Sequence, residues 1–323
     1  MAIKVKSTIS ETEVSLDVIE KVSIDLKEIS DQEPTVLEIY GDHEKNYEIS
    51  EIPKMESVKK LVLFGVPIID LGEFENLEIL VIQNSRSIQE IENIKTLKNP
   101  EKLKSLLIKL TEVSDISPLA SLTGLEKLNL ECNQIVDIHA LKSLKKLIEL
   151  DLGGNKIDDI SALSNLSNIK ELSLLGNKIS DISALKNLIH LESLNLMGCK
   201  IGDIGGLSDL VNLEYLDLEN NWITNIQPLE KLNLKYLNLR NNLINDNETL
   251  SKLKNLEILR ICSNKLKTIA RFENLKNLSE LEVAENSIED FSPLEKLKKL
   301  KKLVIRGNPG EKPKTHLKKC QIY

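Results

Sequence analysis

The chain of 323 residues is 41% hydrophobic but only 3% aromatic, so any core has to be built from aliphatic side chains. Its formal net charge of -7 excludes wholesale binding of a phosphate backbone, which needs a basic face. No segment approaches the ~18 consecutive apolar residues of a membrane span, and the opening Met1-Ala-Ile-Lys-Val-Lys has no apolar leader run.

Residues 1–35 alternate apolar and polar in three stretches, beginning at Ile3, Glu13 and Val22, and are expected to form an N-terminal cap of strands. From Val36 a repeat takes over, with anchors at Val36, Val58, Leu77, Leu103, Leu125, Leu147, Ile169, Leu191, Leu213, Leu234, Leu256, Leu278 and Leu300. Between Leu125 and Leu213 the spacing is a strict 22 residues. The phrase is Leu-x-x-Leu-x-Leu-x-x-Asn-x-Ile-x-x-Ile-x-x-Leu-x-x-Leu, and a fixed period of this kind marks a solenoid. The early repeats depart from it. Gly41 and Asn46 occupy apolar slots, the repeat from Val58 is short, and the one from Leu77 carries an insertion over residues 92–100.

Each half of the phrase predicts its own structure. The Leu-x-Leu half alternates with period two and reads as a strand. A return crossing of about a dozen residues makes successive strands parallel. The Ile-x-x-Ile-x-x-Leu half has a spacing near three, which suits 3₁₀ or short helical turns on the opposite side. Stacked at ~4.8 Å per strand, the repeats extend about 60 Å. The Asn slot (Asn133, Asn155, Asn177, Asn221, with Cys199 standing in and Thr111 opening the series) is expected to form a buried ladder. An amide offers donors and an acceptor where the chain leaves the strand. The closing residues 300–323 read as a capping strand and turn that would cover the last sheet edge.

The pattern resembles the leucine-rich repeat family in its 22-residue class. Asp115-Ile-Ser-Pro-Leu-Ala-Ser-Leu, Asp159-Ile-Ser-Ala-Leu-Ser-Asn-Leu and Asp181-Ile-Ser-Ala-Leu-Lys-Asn-Leu are similar to bacterial internalin repeats, and phosphatase-regulator-type repeats share the period. The resemblance spans about residues 36–310. It implies an α/β solenoid: a right-handed curved arc with a parallel sheet on the concave face and short 3₁₀ or helical turns on the convex face. The expected division is a cap at 1–35, about twelve repeats over 36–299 and the closing cap. What the resemblance implies for function is recruiting or blocking a protein partner through the curved face, with a secreted internalin-like adhesin or the regulatory subunit of an enzyme such as a protein phosphatase as the alternatives. An immunoglobulin-like cap or wall anchor of the internalin type is not expected from these residues.

Catalytic signatures are absent from the sequence. Gly153-Gly154 and Gly205-Gly206 lack the Lys-Ser/Thr sequel of a phosphate loop, and His43, His139, His190 and His316 fall in unrelated registers. The chain is therefore read as not an enzyme, with no cofactor and no metal. Cys132, Cys199, Cys262 and Cys320 also occupy different registers. Cys132 and Cys262 stand six repeats apart, ~29 Å at the strand spacing, beyond the ~7 Å that a disulfide bridges. A cytoplasmic location is expected, with secretion or surface exposure as the alternative if a leader preceded Met1.

Residues flanking the strand leucines point away from the core, and two groups of them stand out. Leu175, Met197, Tyr215, Asp217, Glu219, Tyr236, Arg240, Ile258 and Arg260, with the rim residue Trp222, form a candidate partner-binding site, because Tyr, Trp and Arg most often carry interface energy. Ordinary cross-strand packing is the competing reading. Val62, Phe64, Ile79, Val81 and Leu107 form a second, apolar patch, covered either by the N-terminal cap, by the segment 92–102 or by a partner. The expected partner is a protein, with no nucleic acid and no membrane span. The chain is expected to be monomeric, with weak head-to-tail association favoured by its acidic start and basic end.

Overall fold

The computed structural model describes residues 2–8, 11–18, 33–41, 52–66, 68–85, 89–311 and 320–322. The strand expected at Val22, the slot of Asn46 and the terminal lysines Lys312, Lys314, Lys318 and Lys319 lie outside the described residues. The chain forms two compact units, Met1–Ile157 and Asp158–Tyr323.

In the first unit β1 (Ala2–Thr8) and β2 (Glu11–Val18) form an antiparallel pair, and β2 then pairs in parallel with β3 (Val36–Gly41). From there β4 (Lys60–Phe64), β5 (Ile79–Gln83), β6 (Ser105–Lys109), β7 (Lys127–Asn129) and β8 (Glu149–Asp151) follow in parallel and in sequence order. Leu61, Leu80, Leu106, Leu128 and Leu150 stand opposite one another across this sheet and are all buried. One layer of aliphatic side chains per turn therefore fills the space between strand and crossing.

The second unit repeats the design with β9 (Glu171–Ser173), β10 (Ser193–Asn195), β11 (Tyr215–Asp217), β12 (Tyr236–Asn238), β13 (Ile258–Arg260), β14 (Glu280–Glu282), β15 (Lys302–Val304) and β16 (Gln321–Ile322). All pair in parallel, with Leu172, Leu194, Leu216, Leu237, Leu259, Leu281, Leu303 and Ile322 in one row.

The strands are short because the chain leaves them through a left-handed residue just before the ladder slot. Gly154, Gly176, Gly198 and Gly307 take it with φ of 65–70°, and Leu110, Cys132, Asn220, Asn241, Ser263 and Glu285 take it with φ of 53–58°. The ladder follows. Asn221, 4% exposed, donates through Nδ2 to the carbonyls of Leu196 (2.9 Å) and Leu218 (3.1 Å) and accepts the Ile201 amide at 3.0 Å. Asn155 and Asn242 do the same in their own repeats. Each amide thus joins two tiers, which satisfies the backbone groups that the turn would otherwise bury unpaired. Cys199 fills its slot with a thiol 3.5 Å from the Leu174 carbonyl, and burial pushes that thiol's pKa up.

Opposite the strands run 3₁₀ turns such as Ser117–Ser121, Ser161–Leu163 and Ser183–Asn187. They begin where an Asp two residues ahead of the first Ser or Gly accepts its amide, as Asp115 does from Ser117 at 2.8 Å and Asp203 from Gly205 at 2.8 Å. Among the described residues one turn is a true α-helix, α1 (Asn247–Lys252), capped by Asp246. The inserted segment forms two further turns, Glu92–Thr96 and Pro100–Lys102, and buries Ile91, Ile94 and Leu97. Asn93 and Asn99 donate to the carbonyls of Ile68 and Glu75 in the preceding repeat's crossing. The segment therefore belongs to the turn side, where its three-residue apolar spacing fits, and it does not cover the strand face.

Candidate functional site

The strand register decides which outward side chains meet. In the second unit Tyr215 of β11 stands opposite Tyr236 of β12, which stands opposite Ile258 of β13. The two rings stack, with centroids 4.3 Å apart and planes within 6°. Tyr215 remains 36% exposed, while Tyr236 and Ile258 are half-buried. Burial, with Tyr236 and Asp217 alongside, pushes the Tyr215 hydroxyl up to about 12, so it stays a neutral donor at physiological pH.

Arg260 lies against the other side of the pair. Its guanidinium carbon is 5.6 Å from the centre of the Tyr236 ring, and Nη1 donates to the Tyr236 hydroxyl at 3.4 Å. The same guanidinium forks onto Glu280 at 2.9 and 3.0 Å. Lys302 reaches both Glu280 (3.2 Å) and Glu282 (2.6 Å), and Arg240 reaches past β13 to Glu282 as well. Glu282 is only 3% exposed, a carboxylate surrounded by Arg240, Arg260 and Lys302. Burial works to raise the Glu280 carboxyl, but Arg260 and Lys302 more than offset it and hold its pKa below the ordinary 4.5.

Of the ten residues singled out from the sequence, the structure brings Tyr215, Tyr236, Arg240, Ile258 and Arg260 into one surface. Asp217 is placed differently: it is 6% exposed and closes the end of its own strand. It accepts the Glu219 amide at 2.9 Å and the Asn238 side chain at 3.0 Å, and burial pushes its carboxyl up. Glu219 accepts from Asn238 at 2.8 Å. Leu175 and Met197 are half-buried where the chain leaves β9 and β10, and Trp222 is 60% exposed on the rim after the ladder residue Asn221. Sequence reasoning missed Glu280 and Glu282 as the partners of the two arginines, and Lys302 as the third cation on those carboxylates. The signal was available, because the register sets Arg260 opposite Glu282 and Glu280 opposite Lys302.

In the first unit Val62, Val81 and Leu107 stand opposite one another, with Phe64 and Ile79 beside them. Val62 is buried, Ile79 is 37% exposed, and Phe64 packs against Tyr40 with ring centroids 5.8 Å apart. The five patch residues are therefore neighbours on adjacent strands, with Val62 withdrawn from solvent. Among the described residues no cluster of three His, Cys, Asp or Glu side chains could hold a metal, and no helix is long and apolar enough to cross a membrane. The four cysteines are free thiols.

A sheet of three-residue parallel strands, an Asn ladder and 3₁₀ returns define a leucine-rich repeat solenoid. The family described as Leucine Rich repeats (2 copies) matches residues 145–187 and 189–231. An internalin C2 from Listeria monocytogenes is 38% identical over 56% of this chain and 80% of its own, with a TM-score of 0.55. The chain belongs to the leucine-rich repeat family. A second Listeria monocytogenes internalin, InlF, is 28% identical over 91% of this chain and 86% of its own, with a TM-score of 0.76. A leucine-rich repeat protein of Leptospira interrogans shares the fold at 24% identity, covering 93% and 92% of the two chains with a TM-score of 0.73. Comparison with curated protein sequences gives no match.

Proposed function

We propose that the protein is a non-enzymatic binding module that holds a protein partner on the strand face of its second unit, through Tyr215, Tyr236, Ile258 and Arg260. The observation that carries this reading is the stacked, partly exposed tyrosine pair, held against Arg260. Two rings already fixed by stacking lose little conformational freedom when a partner closes over them, and flat amphipathic rings supply large contact area. Leucine-rich repeat proteins serve in general as interaction scaffolds, which supports the class of function without naming the partner.

The test is site-specific photo-crosslinking in cells of the source organism, with benzoylphenylalanine placed at Ile258 or, as a control, at Lys186 on the turn side. A discrete protein adduct formed from Ile258 and not from Lys186 supports the reading. Adducts from Lys186 alone overturn it. A cytoplasmic location is part of the proposal. The likeness to Listeria internalins favours a second reading, a secreted or surface adhesin, and protease shaving of intact cells separates the two.

A further inference from the structure

The rim slot that follows each ladder residue changes character inside the second unit. It reads Lys178, Lys200, Trp222, Leu243 and Lys265 in five successive tiers, all exposed. The backbone N–H groups of Lys200, Trp222, Leu243 and Lys265 each bond an isoleucine carbonyl one tier back, at 2.9–3.0 Å, so the slots stack in line at the strand spacing of ~4.8 Å. Trp222 is 60% exposed and Leu243 40%, on adjacent tiers. Among the described residues Lys178, Lys200 and Lys265 make no ion pair, whereas Lys170, Lys235 and Lys302 in the same unit are each paired with a glutamate. The nearby acids Asp181 and Asp203 are turned into their own crossings, where they accept the amides of Ser183 and Gly205.

We infer that this strip is a second contact line of the same module, and that it takes an extended segment of a protein partner in which an aromatic or aliphatic residue is flanked by carboxylates. The inference rests on the reading of this unit as a protein-binding surface. Two exposed apolar side chains between unpaired cations complement a chain of opposite charge with an apolar anchor. Trp is among the residues most often found as an interface anchor. An anionic membrane surface offers the same charge, but it needs a broad apolar face to sink into. A chain of net charge -7 with only two apolar residues at this rim is repelled more than it is held.

The test starts from a random dodecapeptide library displayed on phage and selected on the full chain, with Trp222→Ala/Leu243→Ser and Tyr215→Ala/Tyr236→Ala as parallel baits of unchanged melting temperature. The expected result is enrichment of acidic peptides with one apolar anchor that are lost on the Trp222/Leu243 bait. A synthetic copy then shifts the emission of Trp222, the single tryptophan, and binds Lys200→Glu/Lys265→Glu about tenfold or more weakly. Enriched peptides that are neutral or basic, or that bind the Trp222/Leu243 bait unchanged, overturn the proposal, as does no enrichment at all. So does a Trp222 emission shift seen with anionic vesicles and with no peptide. Peptides lost only on the tyrosine bait would remove the rim line while keeping the strand face, so the two readings fail separately.

Discussion

Replacing Asn221 by Ala tests the account of the solenoid most directly, because the structure says which groups the change would strand. The side chain is 4% exposed and serves both the Ile201 amide and the Leu196 and Leu218 carbonyls. The Leu218 carbonyl keeps a second donor, Asn242 Nδ2 at 2.9 Å. Two groups are then orphaned in a buried position, at ~1–3 kcal/mol each, and a central expectation is about 3 kcal/mol of lost stability. The neighbouring tier supplies the reverse experiment. Cys199 offers a weak S–H donor to the Leu174 carbonyl at 3.5 Å, in a slot that Asn155, Asn177 and Asn221 fill in neighbouring tiers. Cys199→Asn exchanges this for full-strength hydrogen bonds and is expected to stabilise by roughly 0.5–1.5 kcal/mol. Urea unfolding followed by far-ultraviolet circular dichroism reads both. A cost below ~1 kcal/mol for Asn221→Ala would mean that the ladder is not what satisfies the backbone. A clear loss of stability in Cys199→Asn would mean that the slot is shaped for a thiol, and the structural role assigned to that cysteine would be wrong.

Other expectations follow from local geometry. Leu110 holds φ at 56° with its side chain 42% exposed, so Leu110→Gly should raise stability by up to ~1 kcal/mol in the same urea assay, and any loss would show that the leucine packs usefully. A methyl group at Gly206 would lie 2.6 Å from the Ile182 carbonyl oxygen, so Gly206→Ala should cost ~1–3 kcal/mol. Two carboxylates should pull the pH dependence in opposite directions. The folded-state pKa of Asp217 is raised, so its contribution is favourable at acid pH and is lost as the pH climbs through that raised value; Asp217→Asn should remove this fall. The folded-state pKa of Glu280 is lowered, so its contribution is present above the unfolded value near 4.5 and is lost as the pH drops; Glu280→Gln should flatten that acid limb. Melting temperature measured from pH 3 to 7 (the span of ordinary carboxylate titration) separates the two.

The repeat made most of the fold legible, and the reason is physical. A period-two Leu-x-Leu run admits one register, since a slip of one residue would turn Leu194 or Leu216 out of the core. The Asn slot was readable because a turn that leaves backbone groups buried restricts what can satisfy them. Less of the site was legible. Outward alternation placed Tyr215 beside Tyr236 correctly, yet it could not distinguish a displayed carboxylate from one folded back on its own strand end. Asp217 is of the second kind, because the residue two ahead presents an amide within reach, as Gly153 does to Asp151. The inserted segment 92–102 was ambiguous for a different reason. Its Ile91, Ile94 and Leu97 repeat every three residues, which identifies a turn-side element only once the preceding crossing is known to lie alongside.

The arginines gain a different meaning once their partners are known. Left unpaired, Arg240 and Arg260 would be long flexible cations, and a partner would have to order them on binding. Glu280 and Glu282, themselves bound by Lys302, hold them instead, and Arg260 in turn presses on Tyr236. The face therefore offers an apolar, aromatic centre whose surrounding charges are largely paired with one another, the buried Arg240 Nε lacking a hydrogen-bond partner among the described residues. Binding there should depend weakly on salt, while contact along the rim through unpaired Lys200 and Lys265 should depend on it strongly. Glu282→Gln separates structure from recognition. It leaves the tyrosine pair and the Arg260–Glu280 fork intact but frees Arg240 to search other geometries. A partner held by the tyrosines should then lose affinity through a less ordered face, and its binding should gain salt dependence. If affinity falls with no change in salt dependence, the arginines contact the partner themselves, and the network is part of the recognition surface rather than its frame.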